Sequence, residues 1–179
     1  TIVPMFHCNG WGYPWTVPML NGRTICLRNI DIKKIFELID KYNVTHFGGA
    51  PIVLNMITGA PEADRKKLKH KVYVLTAGAP PPSIIFKKMK ELGFEVMHVY
   101  GLTETYGHVT QCAWNDSWNE FDEEKQNEIK ARQGVRYPNT EGITVMNPES
   151  MKEVPKDGKT IGEIMIKGNV VMKGYFTDS

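Results

Sequence analysis

Several signatures are missing from this sequence, and each absence removes a class of function. Neither G-x-G-x-x-G nor G-x-x-x-x-G-K-[S/T] occurs in its 179 residues, so it carries no dinucleotide fingerprint and no Walker phosphate loop. An NAD-type oxidoreductase is excluded on that ground. The three cysteines, Cys8, Cys26 and Cys112, form no C-x-x-C pair and offer neither a disulfide framework nor a zinc spacing. They suit a reducing compartment. No apolar run approaches the roughly 18 residues that a membrane helix needs, and no signal peptide is present. Neither sign of charge dominates: 22 Lys and Arg against 20 Asp and Glu leave a net charge of +2. That balance gives no electrostatic case for nucleic acid or an acidic membrane surface. The basic run RKKLKHK at 65–71 is short and reads as a solvated helix end.

What is present is ordinary for a globular protein: 41% hydrophobic and 23% charged residues, in a length that holds one domain with a real core. The chain begins at Thr1 without a methionine and stops at GYFTDS without a tail, which reads as an internal piece of a longer protein. Strand-like and helix-like segments alternate along it. TIVPMF (1–6) and GRTICL (22–27) read as strands. DIKKIFELIDKYN (31–43) places Ile32, Ile35, Phe36, Ile39 and Tyr42 at helical spacing behind an Asp31 N-cap. VTHFGGA runs from strand into a glycine turn, and PIVLNMITGA starts a helix on its proline. KVYVLTAGA and FEVMHVYG read as buried strands on either side of a helix in PPSIIFKKMKELG.

This βαβαβ rhythm, in strands too apolar to leave a wet face, predicts an α/β fold with a mostly parallel sheet flanked by helices. After 107 the pattern changes. WNEFDEEKQNEIKAR (118–132) reads as an acidic amphipathic helix, and residues 142–168 as two β-runs joined by a polar turn. The expected division is an α/β part over 1–133 and a small β-rich segment over 134–179.

In a parallel sheet, ligands bind beyond the carboxyl ends of the strands. Three stretches place suggestive residues there. TAGAPPPS (76–83) ends a strand in a Gly-Ala-Pro turn that lets another group approach the backbone; it equally suits a plain strand-to-helix connection. VYGLTETYG (99–107) carries Tyr100, able to stack on a flat ring, Thr103, able to donate to a phosphate, and Glu104, a hard oxygen ligand of the kind Mg²⁺ takes. The competing account makes Thr103 an N-cap with Glu104 in the first helical turn, and spacing alone leaves both standing. PMFHCNGWGYPW (4–15) places His7 ahead of Trp11 and two more aromatics, a combination open to a catalytic or a purely structural reading. The other acids are scattered, without a paired-carboxylate, Ser-His-Asp or metal-cluster spacing.

In their order, FHCNGW, GGAP, TAGAPP, VYGLTET and GEIMIKGNVVMKGYF resemble the adenylate-forming superfamily of acyl-CoA synthetases, luciferases and peptide-synthetase adenylation domains. The stretch from CAWNDSW to QGVRY is further similar to plant acyl-activating enzymes for short- and medium-chain fatty acids or benzoate. The resemblance implies an ATP-dependent carboxylate–CoA ligase. A carboxylate attacks the α-phosphate of ATP, pyrophosphate leaves, and the thiol of coenzyme A takes the acyl group from the acyl-adenylate. It implies Glu104 as the Mg²⁺ ligand and Thr103 as the phosphate contact. Tyr100 would lie against the adenine, with Gly78, Ala79 and Pro80 along its other side, and His7 by the carboxylate and α-phosphate. Trp11, Gly48, Gly49 and Ala50 would wall the acyl pocket, and Gly101 would keep the backbone close to the acyl-adenylate.

By the same resemblance, the phosphate loop lies before Thr1, the ribose-binding aspartate just past Ser179, and the small C-terminal domain with its lysine is absent. Asp178 lacks the surroundings of that aspartate and is not assigned its role. The chain alone is then expected to be inactive. A cytoplasmic or peroxisomal location fits the family. Two alternatives remain: an adenylation domain that loads a carrier protein, and a nucleotide-binding relative without catalysis.

Overall fold

The computed structural model describes residues 1–176; Asp178 lies outside them. In chain order the elements are helices α1 (Cys8–Trp11), α2 (Tyr13–Met19) and α3 (Ile32–Tyr42), strand β1 (His46–Gly48), helix α4 (Pro51–Gly59), β2 (Val72–Thr76), α5 (Ser83–Glu91), β3 (Phe94–Leu102), β4 (Gly107–Gln111), α6 (Glu123–Lys130), β5 (Val135–Arg136), β6 (Gly142–Met146) and β7 (Glu163–Lys167). Short 3₁₀ turns occupy Glu62–Asp64, Thr103–Thr105 and Asp116–Glu120.

The large sheet runs β1-β2-β3-β4-β5. β1, β2 and β3 are parallel, with Phe47 opposite Val74 and Val74 opposite Val96. β4 and β5 then return antiparallel. β3 therefore serves two ladders: residues 94–98 pair with β2, and residues 99–102 pair with β4, with a bulge between Tyr100 and Gly101. β6 and β7 form a separate antiparallel hairpin in which Thr144 faces Met165.

Helix α3 forms where its pattern predicts. Asp31 accepts the Lys34 amide at 3.0 Å, Ile35, Phe36 and Ile39 are buried, and Asn43 closes the helix in a left-handed conformation. With α4 and α5 it covers one face of the parallel strands, where Phe36 and Phe47 meet Phe94 edge-on with ring centroids 5.8 and 5.9 Å apart. His98 is buried on β3, and its Nδ1–H donates to the Ala131 carbonyl at 3.0 Å. That bond ties the end of α6 to the sheet.

Three expectations need correction. TIVPMF and GRTICL are not strands. Their backbones meet at a few points, the Leu27 amide donating to the Thr1 carbonyl at 3.2 Å, but neither finds a continuous ladder, and the segment between them coils into α1 and α2. His7 accordingly follows a turn rather than a strand. The parallel strands also have a wet face: His46, Tyr73 and Met97 alternate with the core residues and are exposed, bordering an open groove of about 1060 Å³ that Tyr13 and Val17 of α2 also line. Finally, the acidic helix is shorter than 118–132. Phe121 takes an extended conformation after the 3₁₀ turn, and α6 restarts behind Asp122, whose side chain accepts the Lys125 amide at 2.8 Å.

Candidate functional site

Because β1, β2 and β3 are parallel neighbours, the turns that follow them lie along one edge of the sheet. Gly48, Gly49 and Ala50 end β1, Gly78, Ala79 and Pro80 follow β2, and Tyr100, Gly101, Thr103 and Glu104 end β3. The fold thus sets three of the predicted groups in a row at the edge where open α/β sheets take ligands.

Local sequence explains each turn. The Gly49 amide donates to the Leu75 carbonyl at 2.9 Å, extending the β1–β2 ladder past the strand before Pro51 starts α4. Gly78 has φ +96° with nothing near the place a β-carbon would take, so glycine is needed there for its conformation alone. Gly101 is held by a close approach: a β-carbon would stand 1.9 Å from the Gly107 carbonyl oxygen. The β3–β4 hairpin thus demands glycine at 101 on its own account.

The TET turn separates its two threonines. Thr105 is buried, accepts the Leu102 amide at 3.0 Å and has the Gly107 carbonyl as acceptor at 2.9 Å. Thr103 is exposed, and its hydroxyl has no hydrogen bond among the described residues. The capping duty considered for Thr103 thus falls to Thr105, a residue the sequence reading passed over. Tyr106 closes the turn in a left-handed conformation (φ 55°), its amide donating to the Thr103 carbonyl at 3.1 Å.

Glu104 projects from this turn half-buried. Tyr175 donates its hydroxyl to Glu104 Oε1, and the Met172 amide donates to the Glu104 carbonyl at 2.8 Å. The Tyr175 hydroxyl, with help from the backbone, holds the Glu104 carboxyl below the usual carboxylate range, and the same bond raises the tyrosine. Glu104 is therefore an ionised hard-oxygen donor. Among the described residues no three His, Cys, Asp or Glu side chains gather as a cage. A lone carboxylate suits Mg²⁺ carried largely by substrate phosphates and water.

The opening segment comes to the same region. His7 occupies the N-cap position of α1 and is exposed, and α1 lies against β4, which begins just after the TET turn. Trp11 is 49% exposed. Gly48–Ala50 belong to the far end of the row, three strands from β4, roughly 14 Å at the usual strand spacing. The large groove is elsewhere: Gly48 borders it, whereas Tyr100, Thr103 and Glu104 do not.

Residues 1–176 match the sequence model of the AMP-binding enzyme family. A peroxisomal acetate/butyrate–CoA ligase of Arabidopsis thaliana is 52% identical over 175 residues, covering 97% of this chain and 31% of that enzyme. An acetate–CoA ligase of Humulus lupulus is likewise 52% identical, over 97% of this chain and 31% of its own length. The o-succinylbenzoate–CoA synthetase of Bacillus subtilis, solved in complex with ATP and magnesium ion, matches with a TM-score of 0.73 at 21% identity, over 98% of this chain and 34% of that one. This last likeness is one of fold. The chain spans just under a third of the length of the curated relatives it matches.

Proposed function

The chain belongs to the AMP-binding enzyme family, and from that premise we propose that it forms part of an ATP-dependent ligase joining a small carboxylic acid to coenzyme A. The reading rests on one observation: the Glu104 carboxylate and a Thr103 hydroxyl without a hydrogen bond among the described residues share a turn at the end of β3, beside the Gly78–Pro80 turn.

The chemical problem is the meeting of two anions, since a carboxylate must approach the α-phosphorus of ATP. Charge on the phosphoryl oxygens has to be met by donors already in place. When bound, Mg²⁺ supplies positive charge to those oxygens. Glu104 holds it there, and Thr103 donates its hydroxyl to a phosphate oxygen. Tyr100 and the Gly78-Ala79-Pro80 turn enclose the adenine, and the bare backbone at Gly78 admits it closely. His7 stands by the carboxylate, Gly101 keeps the backbone near the acyl-adenylate, and Trp11 with Gly48, Gly49 and Ala50 walls the acyl group. The thiol of coenzyme A then attacks the acyl carbon of the acyl-adenylate, AMP leaves, and the thioester forms. An acid of two to four carbons is the favoured substrate, because both 52% identical relatives are named for acetate or butyrate. A peroxisomal or cytoplasmic location belongs to the same proposal; no helix among the described residues is long and apolar enough to cross a membrane.

The test is carboxylate-dependent ATP–pyrophosphate exchange by the full-length protein, with acids from acetate to decanoate and benzoate. Exchange with acetate or butyrate, falling about 10²- to 10³-fold in Glu104→Gln, is the expected result. A folded protein that exchanges with no acid would leave a nucleotide-binding relative without catalysis. Acyl transfer to a carrier protein but not to free coenzyme A would favour the adenylation-domain alternative.

A further inference from the structure

The MKGY run at 172–175 supplies two hydrogen bonds to a residue some seventy positions earlier. The Met172 amide holds the Glu104 carbonyl at 2.8 Å, and the Tyr175 hydroxyl reaches Glu104 Oε1. The intervening Gly174 has φ +157°, extended on the side of the map that glycine enters freely. Tyr175 is 65% exposed, so little of its ring is withdrawn from water and burial does not account for its position. Its hydroxyl is the contact that matters. By occupying Oε1, it restricts rotation of the Glu104 side chain, and Oε2 has no side-chain partner among the described residues.

We propose that Tyr175 is a positioning residue for the cation site: its hydroxyl fixes the Glu104 carboxylate so that Oε2 meets a divalent cation carried by a nucleotide. The inference rests on the reading of Glu104 as a cation ligand. Partners that orient a metal ligand characteristically alter metal affinity when removed, by about tenfold or more.

The experiment measures Mn²⁺–ATP binding to the full-length protein by electron paramagnetic resonance, with ATP binding in EDTA as the metal-free control. Tyr175→Phe, Glu104→Gln and the double variant are compared with the parent. Tyr175→Phe is expected to weaken Mn²⁺–ATP about tenfold, to leave metal-free ATP binding and the thermal midpoint unchanged, and to add nothing in the Glu104→Gln background. If Glu104→Gln weakens Mn²⁺–ATP while Tyr175→Phe does not, the proposal is overturned and the cation reading stands. If Glu104→Gln has no effect, the cation reading itself fails. A Tyr175→Phe loss that is equal without metal, that persists undiminished in the double variant, or that comes with unfolding makes Tyr175 structural and also overturns the proposal.

Discussion

The two faces of the parallel strands are built from alternate residues of the same segments, yet they are unlike. One face carries Phe47, Val72, Val74, Phe94 and Val96 under Phe36, Leu54 and Met89. The other presents His46, Tyr73 and Met97 to an open groove. Side chains two positions apart share a face, so Val96 and Met97 belong to different environments although adjacent in sequence. The difference teaches that hydrophobic content locates a strand without saying how many of its faces are covered.

The contrast predicts a graded set of stabilities in the full-length protein, read by denaturant unfolding. Phe36→Ala, at a wholly buried ring, should cost about 3–5 kcal/mol. Gly78→Ala should cost about 1–2 kcal/mol from backbone strain, since a β-carbon there meets nothing; a larger loss would mean the turn is packed. Met97→Ala, at a residue 40% exposed, should cost no more than about 1 kcal/mol. A loss at Met97 equal to that at Phe36 would show the groove face covered in the full-length protein, and the contrast would then be a property of this segment alone.

The smallest effect lies away from both faces. Asp157 accepts the amides of Thr160 and Lys159, which lower its carboxyl from 3.8 to about 2. A depressed folded value stabilises the fold above pH 3.8, and that contribution is lost as pH falls through about 2. Stability of the parent should therefore fall more steeply between pH 4 and pH 2 than that of Asp157→Asn. Equal slopes would mean the turn is open in solution.

What the sequence disclosed depended on how local the cause was. Ile35, Phe36 and Ile39 at helical spacing behind Asp31 are enough to define α3, and the β6–β7 hairpin follows from two β-runs around a polar turn. The parallel direction of β1, β2 and β3, and with it the placing of Gly48, Gly78 and Tyr100 at one edge, follows from the alternation of strands and helices, whereas the order of the strands does not. TIVPMF and GRTICL misled because β-branched composition does not supply a ladder partner. GHVTQ, the β4 segment, was missed because it is short and polar and is specified by its antiparallel pairing with β3. Within TET, nothing local says which threonine turns inward; the Leu102 amide and Gly107 carbonyl decide for Thr105. Tyr175 was passed over because its partner is 71 residues away.

That separation has a consequence in time. The Val74–Val96 pairing closes a loop of some twenty residues, whereas the contacts from Met172 and Tyr175 to Glu104 close one of about seventy. Loop-closure entropy rises with length, and Tyr175, still mostly exposed, brings little burial to offset it. The β2–β3 pairing around Val74 and Val96 is thus expected to form first, with Glu104 acquiring its tether afterwards. In the native protein the order is reversed: the tether opens locally while the core remains closed, and the Met172 amide exchanges its hydrogen well before that of Val74. The acid at the end of β3 is thus set after the strand pairing beneath it and released before it.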